Sequence, residues 1–105
     1  MTKILKIRDI VGSEYAVSTE SGEKILSKMK EILNNKENIE ISFEGISIVI
    51  SAFLNRIIGD LYADYSSEDI DRFISFSNTN KDIDDLISLV KRTAKEFYSK
   101  KNDNI

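Results

Sequence analysis

The most hydrophobic pattern lies in the central part of the chain, and the segments before and after it are expected to pack against it. Apolar and polar residues alternate through Ile39–Phe43, which indicates a strand with one buried face. Gly45 ends the alternation, and the uncharged run Ile46–Ile50 follows. Apolar residues then recur at helical spacing through Ser51–Tyr65. The pattern therefore predicts a strand, a tight turn, and a helix whose N-cap is Ser51.

The N-terminal segment has the pattern of a hairpin. Leu5 and Ile7 alternate with the polar Lys6 and Arg8 in the stretch from Ile4 to Ile10, which indicates a half-buried strand. Gly12 and Ser13 form a turn signal, and Tyr15–Val17 is a second short apolar run. We expect these two strands to pair and to give the sheet an antiparallel edge.

Two further amphipathic helices are predicted on either side of the central unit. The first has Ser18 as its N-cap and ends at Asn34, and Gly22 inside it indicates close packing because glycine costs about 1 kcal/mol relative to alanine. In the second, Thr79 and Asp82 fit a capping box. Its apolar residues keep three-four spacing: Ile83, Leu86, Ile87, Val90, Ala94, Phe97 and Tyr98.

Strands that alternate with helices predict an α/β fold with right-handed crossovers. Ser66–Asp71 is interpreted as a polar, acidic link, and Arg72–Ser77 has the aromatic and β-branched content of a strand. The whole chain, residues 1–105, is expected to form a single small domain. It would hold a mostly parallel four-stranded sheet with an antiparallel edge and three helices, with residues 1–2 and 100–105 frayed.

Composition narrows the possible chemistry. The 105 residues include no cysteine and no histidine, which excludes a disulfide, a thiolate nucleophile and the commonest general base. The net charge of -3 disfavours nucleic-acid binding. No run of eighteen apolar residues and no signal peptide is present, so we expect a cytoplasmic protein away from the membrane.

Catalytic and metal-binding patterns are absent from the sequence. The four glycines form neither a P-loop nor a dinucleotide-binding turn. Asp82, Asp84 and Asp85 point in different directions on a helix, so complementing the helix dipole explains them better than Mg²⁺ binding. We therefore expect a protein that is not an enzyme and has no cofactor or metal site.

The segment Ile41–Phe53 resembles the STAS domain of sulfate transporters and anti-sigma factor antagonists, and more closely the STAS-like family of unknown function. Ser42-Phe43, Gly45-Ile46, Ser51 and the following Phe53-Leu54 carry the resemblance, and Ser18–Gly22 is also similar to that family. The order of elements agrees from about Ile4 to Tyr98. The resemblance implies a STAS-like fold.

It also implies a function. In anti-sigma factor antagonists a serine at the start of the corresponding helix is phosphorylated by a kinase, and this switches binding. Here that position falls on Ser51 or on Ala52, and the Asp-Ser-Ser-Gly of those proteins is replaced by Ile50–Phe53. The strand aspartate of the family appears as Ser42. The implied partner is a histidine-kinase-like ATPase in a bacterial regulatory circuit, and ATP and Mg²⁺ would belong to that partner.

Our first hypothesis is a regulatory protein–protein interaction module with Ser51, or less favourably Ser47, as the phosphorylation site. The partner-binding candidates are Gly45, Ile48, Val49, Ile50, Asn55 and Arg56. At least half of the run Ile48–Ile50 is expected to be buried. The alternative is a self-associating subunit of a larger complex, without a phospho-switch, that forms a homodimer or larger assembly through an edge strand near Ile4–Ile10. A third hypothesis is a small-ligand or nucleotide site at the N–H groups of the Ser51 helix start.

Overall fold

The computed structural model describes residues 2–103, and it describes the side chains of residues 2–99. This part of the chain forms five strands, five α-helices and a 3₁₀ helix. Their order is β1 (Thr2–Lys6), α1 (Ile7–Val11), β2 (Tyr15–Ala16), α2 (Thr19–Asn34), β3 (Asn38–Ser42), β4 (Ile48–Val49), α3 (Ser51–Ile57), a 3₁₀ helix (Gly59–Ala63), α4 (Ser67–Phe73), β5 (Ile74–Ser77) and α5 (Lys81–Asp103).

The main sheet has three parallel strands in the order β1-β3-β5. Leu5, Ile41 and Phe76 are in register across it, so they share one face, and this face meets the core. The opposite face carries Ile4, which is 58% exposed, and Ser75, which is also exposed. The sheet is therefore apolar on one side only.

The core lies between the apolar face of this sheet and the helices. Its largest fully buried side chains are Phe43, Phe53, Ile7, Ile25, Met29, Ile39, Ile41, Leu54, Ile57, Ile58, Leu61 and Ile70. Helices α2 and α3 pack closely at Gly22, where an added Cβ would lie 3.0 Å from Cγ of Arg56. The close packing predicted at Gly22 is confirmed.

The predicted N-terminal hairpin is wrong. The chain leaves β1 at Lys6 and forms α1, which buries Ile7 completely in the core. Gly12 ends this helix in the left-handed conformation with φ 77°, and its N–H donates to the Arg8 carbonyl at 2.8 Å. The turn redirects the chain so that β2 pairs with β4, in parallel and outside the main sheet. All strand pairs among the described residues are parallel.

The prediction that Ser66–Asp71 is a polar link between elements is also wrong. This segment forms most of α4, because the Ser66 hydroxyl caps the helix by accepting from the Asp69 N–H at 3.1 Å, and Ile70 is buried in the core. Strand β5 consequently begins at Ile74, two residues later than predicted. The predicted helix Ser51–Tyr65 is interrupted after Ile57 and continues as the 3₁₀ helix.

The predicted ends of the two long helices have different outcomes. The Ser18 hydroxyl accepts from the Ser21 N–H at 3.3 Å, which confirms this N-cap, and α2 ends at Asn34 as predicted. At the start of α5 the side chain of Asn80, not Thr79, accepts from the Ile83 N–H at 2.9 Å. The predicted capping box is therefore shifted by one residue.

The chain is thus a small α/β protein with a parallel sheet, as predicted. The four-stranded sheet with an antiparallel edge and three helices is wrong in its details, because the structure has a three-stranded sheet and five α-helices. Among the described residues, no helix is long and apolar enough to span a lipid bilayer. Of the residues expected to fray, Thr2 lies in β1 and residues 100–103 lie in α5, whereas Met1 and residues 104–105 lie outside the described residues.

Candidate functional site

The turn after β3 is tight, and a neighbouring side chain covers it. The Ile46 N–H donates to the Phe43 carbonyl at 3.0 Å, and Gly45 has φ 76°, a conformation that favours glycine. Arg8 lies over Gly45, and its Nη1 donates to the Gly45 carbonyl at 3.4 Å. An added Cβ at Gly45 would lie 2.7 Å from Cδ of Arg8. The role of Gly45 is therefore to shape the turn, and its small size lets Arg8 approach.

The segment after the turn is fixed by the chain that precedes α2. The Ser47 N–H donates to the Glu14 carbonyl at 2.8 Å, and the Ser47 hydroxyl donates to the Glu14 carboxylate at 2.9 Å. The Ile50 N–H donates to the Ala16 carbonyl at 3.2 Å. Strands β2 and β4 run parallel between these contacts, with Tyr15 beside Ile48. The result is a two-stranded sheet that ends at the starts of α2 and α3.

One side of this small sheet is apolar and exposed. Successive side chains of a strand point to opposite sides of the sheet. Ala16 therefore points inwards and is fully buried, and its partner Val49 packs against the core and is partly buried. The side chains on the outer side are exposed by 38% to 50%: Tyr15, Val17, Ile48 and Ile50. We call these four residues the β2–β4 patch. The expectation that at least half of the Ile48–Ile50 run is buried is wrong, because Ile48 and Ile50 both lie in the patch.

A shallow cavity of about 240 Å³ adjoins the β2–β4 patch. The cavity lies between β4 and the start of α5. Its lining includes the apolar side chains of Ile48, Ile83 and Leu86 and the polar side chains of Asn80 and Asp82. The patch is therefore concave at one border, where the acidic side chain of Asp82 lies.

Ser51 lies directly beside the patch as the first residue of α3, and it is exposed. The N-cap position belongs to Ile50, and no side chain caps this helix. The prediction that Ser51 is the N-cap is therefore wrong, because the helix begins one residue too early for its hydroxyl to serve. Ala52, the other position that the resemblance to anti-sigma factor antagonists left open, is also exposed.

The remaining predicted residues lie in different surroundings. Arg56 pairs through Nη1 with Asp60 of the 3₁₀ helix at 2.9 Å, and its Nη2 approaches Glu23 of α2 at 3.9 Å, so this side chain is engaged within the molecule. Asn55 is exposed one turn beyond Ser51. The structure thus brings Gly45, Ile48, Ile50 and Ser51 together and leaves Asn55 at the margin.

Ser42, at the position of the family's strand aspartate, has a structural role. It is 2% exposed, and its Oγ accepts from Asn78 Nδ2 at 3.0 Å and from the Glu44 N–H at 3.3 Å. The bond from Asn78 joins the carboxyl ends of β3 and β5, and the bond from Glu44 holds the chain where it leaves β3. Among the described residues no group of three or more carboxylates is arranged to hold a metal ion.

The sequence interpretation missed Tyr15 and Val17 as parts of the site. A signal for them exists, because Tyr15–Ser18 and Ile48–Ser51 have the same form: three apolar residues with alternate ones exposed, then a serine at a helix start. What the sequence does not show is that these two segments are neighbours.

The fold, a parallel sheet with helices and a glycine turn before an exposed serine, defines a small α/β protein of STAS-like type. The family described as STAS-like domain of unknown function (DUF4325) matches residues 21–84, which is more than half of the chain. This chain therefore belongs to that STAS-like family, as the resemblance predicted. No curated protein and no solved structure is significantly similar to it.

Proposed function

We propose that this protein is a non-enzymatic regulatory module that binds a protein partner through the β2–β4 patch. The observation that carries the proposal is the position of Tyr15, Val17, Ile48 and Ile50 on one surface, each at least 38% exposed. Scattered apolar side chains are normal on a protein surface, but adjacent ones mark interaction sites. Their water-exposed apolar area favours binding to an apolar surface.

The partner is inferred from the family resemblance. In the related anti-sigma factor antagonists it is a histidine-kinase-like ATPase, and we propose a partner of that class here, in a bacterial regulatory circuit. ATP and Mg²⁺ would then be bound by the partner, and this chain would supply only the docking surface and the switch.

We propose Ser51 as the site of the switch. Its exposed hydroxyl is accessible to a kinase and lies next to Ile50 of the patch. A phosphate carries about two negative charges at neutral pH, so placing it at the border of an apolar interface costs desolvation energy and weakens docking. Ser47 is the less favourable site, since its phosphate would lie against the Glu14 carboxylate and would break the bond that joins them.

Affinity capture from cells of the source organism tests the docking surface. The immobilised proteins are the wild type, the double variant Ile48→Ser/Ile50→Ser, and the control Ile4→Ser, whose residue is more exposed than either and lies on the main sheet. The proposal predicts that one ATPase is captured by the wild type and by the control, and that the double variant loses it. Equal capture by all three proteins contradicts it.

The switch needs a separate comparison. We expect Ser51→Ala to keep the partner and Ser51→Asp to lose it, whereas the control Ser88→Asp, an added charge on the exposed side of α5, keeps it. Mass spectrometry of the protein from cells then locates the phosphate. If Ser51→Asp keeps the partner and residue 51 carries no phosphate, the proposed switch is wrong. The docking proposal is unaffected by that result.

A second function, self-association, is favoured by the free edge of β1. This strand is at the end of the β1-β3-β5 order, and Ile4 at its centre is 58% exposed. Antiparallel pairing of two copies about Ile4 would place Lys3 opposite Leu5 and Lys6 opposite Thr2 of the second copy, so no like charges would face each other. Sedimentation at increasing concentration tests this. A dimer that Ile4→Lys dissociates supports it, and a monomer at all concentrations excludes it.

A further inference from the structure

A second concave surface lies at the opposite end of the main sheet from the glycine turn. It is a cavity of about 430 Å³ beside the amino ends of β3 and β5. Its apolar lining consists of Leu33, Tyr65, Ile70 and Phe73, and its polar lining consists of Lys36, Asp69 and Arg72. A volume of roughly 300–1,000 Å³ and a mostly apolar lining with a few polar groups are typical of small-molecule sites.

Parallel strand pairing brings the two cations to this cavity. Ile39 of β3 is in register with Ile74 of β5. Lys36 and Arg72 lie three and two residues before these partners, so both reach the same end of the sheet. The backbone of Lys36 is held in a tight turn, because its N–H donates to the Leu33 carbonyl at 2.9 Å. The charges therefore converge because of the topology, although they are far apart in sequence.

The aromatic walls are held in place. The Tyr65 hydroxyl donates to Oδ1 of Asn34 at 3.1 Å, which fixes the ring at the border of the cavity. The guanidinium carbon of Arg72 lies 5.6 Å from the centre of the Phe73 ring, a cation–π distance that keeps the charge over an apolar surface.

The charges of this cavity are not neutralised by ion pairs. Neither Lys36 nor Arg72 forms an ion pair with a carboxylate in the part of the chain that the structure describes. Asp69 is the acidic side chain of the lining, so the cavity carries one excess positive charge in a chain whose net charge is -3.

We propose that this cavity binds a small molecule that has a flat apolar body and one anionic group. The body would lie against Tyr65 and Phe73, and the anion, a carboxylate, phosphate or sulfonate, would face Lys36 and Arg72. This site is independent of the β2–β4 patch.

Two dyes of matched shape test the proposal. The probe 8-anilino-1-naphthalenesulfonate has an aromatic body and one sulfonate, and N-phenyl-1-naphthylamine has the same body without the charge. Fluorescence titrations compare the wild type with Arg72→Gln, Lys36→Gln and Asp69→Asn. Ile48→Ser is the control for binding at the patch, and urea unfolding shows whether each variant is folded.

We expect the sulfonate dye to bind with saturation at one site. Its affinity should fall about three- to fivefold in Arg72→Gln and in Lys36→Gln, and should rise in Asp69→Asn, because each change alters one partly exposed charge contact. Affinity should also fall with added salt. The neutral dye should bind all variants equally. Chemical-shift changes of the Leu33 and Ile70 amides should accompany the titration.

Equal affinity of the sulfonate dye for the wild type and the charge variants would overturn the proposal. A loss of binding in Ile48→Ser would also overturn it, since the dye would then occupy the patch. The absence of saturable binding would do the same. Each of these results leaves the docking function untouched, so the two proposals fail separately.

Discussion

At the scale of single residues, the structure distinguishes glycines that the sequence makes look alike. Gly22 and Gly59 each lie inside a helical pattern of the sequence. At Gly22 an added Cβ would lie 3.0 and 3.2 Å from Cγ and Cβ of Arg56, whereas at Gly59 the nearest atom would be Oδ1 of Asn55 at 3.4 Å. Of these two helical glycines, Gly22 is the one whose contact a methyl group would disturb.

Gly22→Ala should therefore destabilise the protein. The gain in helix propensity is about 1 kcal/mol, but overpacking between α2 and α3 costs about 1–3 kcal/mol, so we expect a net loss of roughly 1 kcal/mol. Gly59→Ala, the matched control, should lose nothing. Urea unfolding of both variants measures the difference. A Gly22→Ala protein as stable as the wild type would show that Arg56 moves aside without cost.

Tyr62 makes stability depend on alkaline pH. Burial, with a smaller contribution from the charge of Asp71, raises the pKa of Tyr62 from 10.0 to about 12. The neutral phenol is favoured in the folded state, so its contribution is complete below pH 10 and is lost as the pH rises through the folded-state pKa of about 12.

Comparison with Tyr62→Phe isolates this effect, because all other groups titrate in both proteins. We expect the free energy of unfolding of the wild type to fall more steeply than that of the variant between pH 10 and about pH 12. Urea unfolding at several pH values gives both curves. Parallel curves over this interval would contradict the raised pKa.

At the scale of elements, periodicity predicted what is long and amphipathic. The segments α2, β3 and α5 agree with their predictions because one face of each is buried over several turns or residues. The short helices α1 and α4 were missed because they have no long amphipathic pattern. Each is stabilised by one cap, at Gly12 or Ser66, and by one buried residue. The β2–β4 pairing was missed because it joins segments more than thirty residues apart, which local patterns do not reveal.

The start of α5 gives a direct test at this scale. Asn80→Ala removes the side chain that accepts from the Ile83 N–H, so it should cost about 1 kcal/mol of stability. Thr79→Ala removes the cap that the sequence suggested and should change stability by less than about 0.5 kcal/mol. Thermal or urea unfolding of the two variants decides between them. A larger loss from Thr79→Ala would place the cap at that residue after all.

At the scale of the whole molecule, the two candidate sites lie at opposite ends of one parallel sheet. The β2–β4 patch follows the carboxyl end of β3, and the cationic cavity precedes the amino ends of β3 and β5. The sequence indicated the first region through its glycine turn and apolar run. It did not indicate the second, because Lys36 and Arg72 become neighbours only when β3 and β5 pair.

The docking of a partner at the patch is the central claim, and photo-crosslinking in living cells tests it most directly. A photoreactive amino acid replaces Ile48 in one protein and Ile4 in another, since both side chains are exposed to a similar degree. We expect the protein labelled at position 48 to form an adduct with a different protein, an ATPase. The protein labelled at position 4 should form no adduct with that ATPase. Docking at the β2–β4 patch is contradicted if the ATPase is crosslinked from position 4 alone. It is also contradicted if both positions form adducts only with a second copy of this chain.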